Sequence, residues 1–150
     1  MNLKERILAD MKAAMKAKDK QRLGAIRLIQ AAIKQREVDE RIALEDAQVI
    51  AVLDKMIKQR RESIRQYEQA GRQDLAAREA YELRICQAYL PEAMGEEEIQ
   101  AHIAAAIVET GATTLRDMGR VMGVLKPKLQ GRADLSKVSE QVKQQLSSGQ

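Results

Sequence analysis

The sequence predicts an all-α protein, with an N-terminal bundle of about four helices followed by a small C-terminal three-helix domain. Three observations carry that prediction. Apolar residues recur at steps of three and four along most of the chain, the stripe of an amphipathic helix. No stretch shows the sustained period-two alternation of β-branched residues that marks a half-buried strand. The apolar set is Leu, Ile, Val, Met and Ala, with Tyr67, Tyr81 and Tyr89 as the only aromatics, which suits a small helical bundle. A chain of 150 residues holds one ordinary domain or two small ones and buries a real core.

Leu3, Ile7, Met11, Ala14 and Met15 trace a first helix ending near Lys18. Asp19 suits the N-cap of a second, with Leu23, Ile26, Ile29 and Ile33 on its buried face. Two long helices joined so tightly run antiparallel or kink only slightly at the joint. The charged residues from Arg36 to Arg41 read as a polar connector. Leu44 at N′ and Val49 at N4 have the spacing of a hydrophobic staple, and Gln48 stands at N3 of a capping box whose N-cap is Glu45. That third helix buries Val49, Leu53, Met56, Ile57, Ile64 and Tyr67, and Gly71 supplies a left-handed stop after Ala70. Its charges, Lys55, Lys58, Arg60, Arg61 and Arg65 against Asp54, Glu62 and Glu68, read as a solvated face.

A fourth helix runs from about Gln73 to Tyr89, buried through Ala76, Ala80, Leu83, Cys86 and Leu90, and Pro91 closes it. The staple then recurs, with Met94 at N′, Gly95 at the N-cap, Glu98 at N3 and Ile99 at N4. Glu96, Glu97 and Glu98 suit the positive end of this fifth helix, which continues through Ile103 and Ile107 to Gly111. The linker Leu90–Gly95 sets the boundary between an N-terminal domain, residues 1–92, and a C-terminal one, residues 95–150.

Thr113 or Thr114 caps the sixth helix, whose stripe is Leu115, Met118, Met122, Leu125 and Leu129. Gly119 and Gly123 lie within it, one turn apart, and each costs about 1 kcal/mol of helix stability relative to Ala. The expected compensation is close approach of another backbone to a face without Cβ atoms. Pro127 is expected to end or kink the helix, leaving a basic turn of Lys126, Lys128 and Arg132 around Gly131. Asp134 caps a last helix to about Leu146, and the tail after Ser147 is expected to fray.

Charge is unevenly placed. The chain carries a net +4, and residues 1–111 balance acid against base. The whole excess lies in the last quarter, where Arg116, Arg120, Lys126, Lys128, Arg132, Lys137 and Lys143 face only Asp117, Asp134 and Glu140. That asymmetry points to an anionic partner for the C-terminal part. With no Phe or Trp to stack bases, contact through phosphates and backbone shape suits a structured RNA better than a single strand.

Catalytic patterns are missing. There is no HExxH, CxxC or cysteine–histidine cluster, so neither a metal nor a cofactor is expected. Gly119-Arg-Val-Met-Gly123 lacks the Gly-Lys-Ser/Thr ending of a phosphate loop. Cys86 reads as a small core hydrophobe and His102 as structural or solvent-facing, so no catalytic residue is assigned. The single cysteine rules out an internal disulfide and fits a reducing compartment. No apolar run approaches a membrane span, and Glu5 and Asp10 argue against a transit peptide. A soluble cytoplasmic protein is the expectation.

Several dispersed segments together resemble the GatB/YqeY family along almost the full length. They are Leu3-Lys-Glu-Arg, Met11-Lys-Ala-Ala-Met15-Lys-Ala-Lys-Asp19-Lys-Gln-Arg22-Leu, Tyr67-Glu-Gln-Ala-Gly71-Arg-Gln-Asp-Leu75, Tyr89-Leu-Pro91-Glu, Asp117-Met-Gly119-Arg-Val-Met122 and Gly131-Arg132-Ala133-Asp134. Their order and spacing look most like the free-standing YqeY-like proteins. The resemblance implies two helical domains, the second similar to the tail of the B subunit of the glutamine-dependent aspartyl/glutamyl-tRNA amidotransferase. There the tail helps hold the tRNA, while ammonia transfer occurs in a separate large domain with no counterpart among these segments. The chain departs from the family at Leu135 and Ser139, where a glycine and an asparagine are usual.

The leading expectation is a non-catalytic tRNA- or RNA-binding accessory module. Lys126, Lys128, Arg132, Lys137 and Lys143 would contact the RNA, with Gly119, Gly123 and Gly131 as close-packing or docking positions. The alternative is a protein-interaction adapter that receives a partner helix on the glycine-notched helix. A third reading, carbon–nitrogen ligase with glutamine as amido donor, comes from the resemblance alone.

Overall fold

The first hairpin turns at Lys18, which adopts a left-handed conformation (φ 57°). In the computed structural model of the chain, which describes residues 1–148, α1 (Leu3–Lys16) stops just before this turn. Asp19 then caps α2 (Lys20–Glu40), its carboxylate accepting from the Arg22 N–H at 3.1 Å. Lys4 near the start of α1 pairs with Glu37 near the end of α2, so the two helices run antiparallel.

The segment predicted as a connector, Arg36 to Arg41, is helical as far as Glu40. Its charges support the helix instead of breaking it. Gln35 donates to Asp39 at 3.0 Å, Arg36 pairs with Glu40 one turn on, and Glu37 accepts from both Lys4 and the Leu44 N–H. Those two bonds, Lys4 first, hold the Glu37 carboxyl below its usual range. Arg41, left-handed at φ 56°, makes the stop.

At the start of α3 (Asp46–Gln69), Gln48 Oε1 accepts from the Glu45 N–H at 2.9 Å, and Leu44 and Val49 are both buried as a staple requires. At its end Gly71 (φ 72°) is the left-handed residue, with the Arg72 N–H bonded to the Tyr67 carbonyl at 2.8 Å and the Gly71 N–H to Glu68. Burial in α3 fades after Ile57, so Ile64 and Tyr67 are only half-buried. Arg60 departs from the solvated-face expectation. Seven residues on from buried Leu53, it comes back to the inner side of the helix and meets Glu82 of α4 (Gln73–Gln87) at 3.2 Å, with side-chain exposures of only 13% and 19%.

The chain divides between Leu90 and Pro91 into two units, each with its own apolar core. In the N-terminal unit Ile7, Ala25, Ile26, Ile29, Ile33, Leu53 and Cys86 are buried. Met15 is 50% exposed, on the outer side of the predicted stripe of α1.

From Pro91 onward, Gly95 caps α5 (Glu96–Thr110) and Gly111 (φ 67°) ends it. Thr114 opens a 3₁₀ turn, Leu115–Asp117, that leads directly into α6 (Met118–Leu129). The stripe of α6 keeps the predicted Leu125 and Leu129, gains Val121 at its centre and loses Leu115. Val121, Leu125 and Leu129 are fully buried, Met118 and Met122 border them, and Leu115 is 42% exposed. Leu115 belongs to the tighter 3₁₀ turn, so its phase does not carry into the α-helix.

Pro127 does not end the helix, since α6 continues to Leu129 and the Gln130 N–H still reaches the Lys126 carbonyl at 3.0 Å. The carbonyl that Pro127 leaves without a helical donor belongs to Gly123, which is exposed and open to water. Asp134 accepts from the Ser136 N–H at 3.0 Å at the start of α7 (Leu135–Ser148), which buries Val138, Val142 and Leu146. Apart from Ser148, which closes α7, the tail expected to fray lies outside the described residues. No strand occurs among the described residues, and no described helix is long and apolar enough to cross a membrane.

Candidate functional site

The burial of Val121, Leu125 and Leu129 decides what α6 shows to solvent. At about 100° per residue, Gly119, Gly123 and Lys126 fall within about 60° of one another on the side away from that stripe, and all three are exposed. A Cβ built on either glycine meets nothing within 4 Å. The compensation expected for the two glycines, close approach of another backbone, is therefore not made inside the chain. The notch faces outward.

The predicted basic residues divide into three groups. Lys126 shares the glycine face and has no ion-pair partner among the described residues. Lys128 emerges on the opposite flank, 3.9 Å from Glu109 of α5, both side chains more than half exposed. Such a pair is weak and screened by salt. Arg132 holds the unit together: its Nε donates to the Glu92 carbonyl at 3.0 Å, and its own carbonyl accepts from the Met94 N–H at 2.8 Å. Gly131 beside it takes a left-handed φ of 80°, so its glycine serves the turn. Lys137 and Lys143 are exposed on the outward side of α7, about 120° apart by helical phase, with Glu140 between them. The structure thus does not gather all five cations onto one spot.

Two further cations lie close to the notch in sequence. Arg116 is exposed in the 3₁₀ turn, and Arg120 directly follows Gly119. Arg120, one residue after Gly119, lies about 100° round the helix from it, and that spacing was the available signal; Arg116 precedes α6 and takes no phase from it. Arg120 is partly committed, to the Thr110 carbonyl at 3.3 Å and to the Asp117 carboxylate. Asp117 in turn caps the turn by accepting from the Thr113 and Thr114 N–H groups at 2.9 and 3.2 Å. These bonds, Thr113 first and Arg120 next, pull its carboxyl down to about 2.

A depressed carboxyl stabilises the fold above the unfolded value near 3.8, and that contribution disappears as pH falls through about 2. Asp117→Asn is accordingly expected to lower the melting temperature at pH 7. The gap from the parent should close between about pH 4 and pH 2 in melts followed by circular dichroism. A gap independent of pH would show that the charge does not matter.

The groups that could do chemistry are dispersed. Cys86 is buried in the N-terminal core, and burial pushes its thiol up to about 11. His102, half-buried on α5, belongs to the other unit. Among the described residues no three His, Cys, Asp or Glu side chains stand close enough to hold a metal ion.

Comparison with known proteins places this arrangement. A protein of Pyrenophora tritici-repentis named "Altered inheritance of mitochondria protein 41, mitochondrial" is 33% identical over 144 residues, covering 93% of this chain and 78% of that protein. Proteins of the same name from Eremothecium gossypii and Clavispora lusitaniae are 40% identical over 97 residues and 41% over 91. Those two matches cover 59% of this chain and 50% and 53% of the respective relatives, so they span about half of each relative's length.

These names correct the cytoplasmic placement read from the sequence, because the relatives are mitochondrial proteins. That placement rested on Glu5 and Asp10 as marks against a targeting peptide. Both sit in α1, Asp10 bonded to Tyr89, and so report on the bundle rather than on a compartment. A lone buried thiol fits any reducing compartment equally well. Residues 4–146, which include both helical units up to the last core residue of α7, match the family described as Yqey-like protein, and the chain belongs to that family.

Proposed function

We propose that the chain is a non-catalytic accessory module that holds tRNA or another structured RNA through its C-terminal helices. The observation that carries this reading is the outward glycine notch of α6, open above Gly119 and Gly123, with Lys126 on the same face. A phosphate backbone can lie close against a helix that lacks Cβ atoms there, while the cations neutralise it. Lys137 and Lys143 extend the positive surface along α7, and Lys128 adds to it once released from its weak pair with Glu109. Arg132 acts here by fastening the turn.

A filter-binding titration of unacylated tRNA over a salt series tests the proposal. Affinity is expected to fall steeply with salt, and the paired reversals Lys126→Glu and Lys137→Glu should weaken binding uniformly. Each should reduce the log–log salt slope by about 1. Binding that ignores salt, or that survives both reversals, would eliminate this reading. Arg132→Glu is a poor probe because it disturbs the fold.

The same open notch favours a second reading, an adapter whose α6 receives a partner helix. Gly119→Leu would then abolish partner binding and leave RNA affinity unchanged. A carbon–nitrogen ligase would need a nucleophile beside a base. Cys86, buried with a raised pKa, is poorly suited to that work, and glutaminase turnover by the purified protein would be the test.

A further inference from the structure

α2 is apolar on two sides, and only one of them is covered. Ala25, Ile26, Ile29 and Ile33 face the core. On the far side Gly24, Leu28, Ala31, Gln35 and Val38 are all exposed, at steps of four, three, four and three, and exposed Ile42 follows the left-handed Arg41 just past the helix end. Leu28 is 44%, Val38 62% and Ile42 40% exposed. That spacing is the seven-residue seam along which one helix packs on another. Beside it runs a row of cations at sevenfold spacing, Lys20, Arg27, Lys34 and Arg41, none of which forms an ion pair among the described residues. On its other border the seam opens into a groove of about 580 Å³ between α2 and α3, lined by Ala32, Gln35, Asp39, Val52, Lys55 and Met56.

We propose that this face of α2 docks an acidic amphipathic helix of a partner protein. The seven-residue repeat calls for a helix, whose own apolar residues would cover Leu28 and Val38. Gly24 and Ala31 let its backbone come close, and a Cβ at Gly24 would meet only open space. The row from Lys20 to Arg41, about 30 Å long, calls for carboxylates at every second turn along one edge of that helix. An RNA would satisfy the cations and leave the apolar seam wet. A second copy packed antiparallel would set one basic row against the other.

The probe is a fluorescein-labelled 21-residue peptide with Leu at the two seam positions of each heptad and Glu on both flanks, titrated with the full chain. Binding is expected to weaken with salt and to be absent for the same peptide carrying Lys in place of Glu. Arg27→Glu with Lys34→Glu should cost about tenfold in affinity, and Val38→Asp should weaken binding as well. All three positions are exposed, so melting curves should match the parent. Three results would overturn the proposal: the two peptides binding alike, tRNA affinity collapsing on the Arg27 and Lys34 reversals, or sedimentation revealing a dimer that Val38→Asp dissolves.

Discussion

Leu125→Ala is expected to unfold the C-terminal unit while leaving α1 to α4 folded. Leu125 is fully buried in a core built only from that unit's residues, among them Val121, Leu129, Val138 and Val142. Truncating a buried leucine costs about 2–5 kcal/mol, depending on how far the cavity collapses. A unit of this size rarely holds more than about 3–5 kcal/mol in reserve. Loss and reserve are therefore comparable, and the unfolded form should become the major one. Amide hydrogen exchange should show α5, α6 and α7 losing protection while α2 and α3 keep theirs. tRNA binding should disappear in the same sample. Uniform loss of protection across all seven helices would mean that the two cores melt as one.

Tyr89→Ala should have a similar effect on the N-terminal unit. Tyr89 is only 4% exposed and ties the end of α4 back to α1: its hydroxyl donates to Asp10 Oδ2 at 2.6 Å, and the Arg6 guanidinium lies 5.0 Å from its ring centre. Arg6 also donates to the Ala88 carbonyl at 3.1 Å, so ring, carboxylate and guanidinium form one cluster. Burial first and the Asp10 carboxylate second push the phenol upward, which keeps it a donor throughout the usable pH range. Removing the ring should cost about 3–5 kcal/mol. Tyr89→Phe should cost about 1.5–3 kcal/mol, the scale of a hydrogen bond to a charged group. Urea denaturation separates the two, with the midpoint falling for Phe and further for Ala. Identical midpoints for Phe and the parent would show that the bond to Asp10 adds nothing.

Local rules made most of the fold legible. The N-cap at Asp19, the Leu44–Val49 and Met94–Ile99 staples and the Gly71 stop each depend on residues within one or two turns, and each stands where its spacing put it. The errors came from interactions that local spacing does not encode. The run from Arg36 to Glu40 looks like a connector until Lys4, thirty-three residues earlier, comes alongside Glu37. Arg60 looks solvated until Glu82 arrives from α4. Leu115 drops out of the α6 stripe because it sits in a 3₁₀ turn, and that choice of turn follows from how Asp117 binds Thr113 and Thr114.

The candidate site was legible only as composition. An excess of Lys and Arg in the last quarter could be counted, but not which of them the folded chain would use for itself. Arg132 bonds to Glu92 and Lys128 leans to Glu109, whereas Lys126, on the glycine face, has no ion-pair partner among the described residues. The exposed seam of α2 was hidden for a different reason. Its apolar residues interleave with the core stripe, so a single helix carries two overlapping periodicities.

The clasp between Arg132 and Glu92 bears on the lifetime of the C-terminal unit. It joins residues forty positions apart, so it can close only after α5 and α6 have already come together. A bond between residues so far apart is expected to close after the rate-limiting step of assembly. Such a bond slows the escape from the folded state more than it hastens its formation. On that expectation, loss of the clasp should speed the opening of the small unit and leave its rate of formation nearly unchanged.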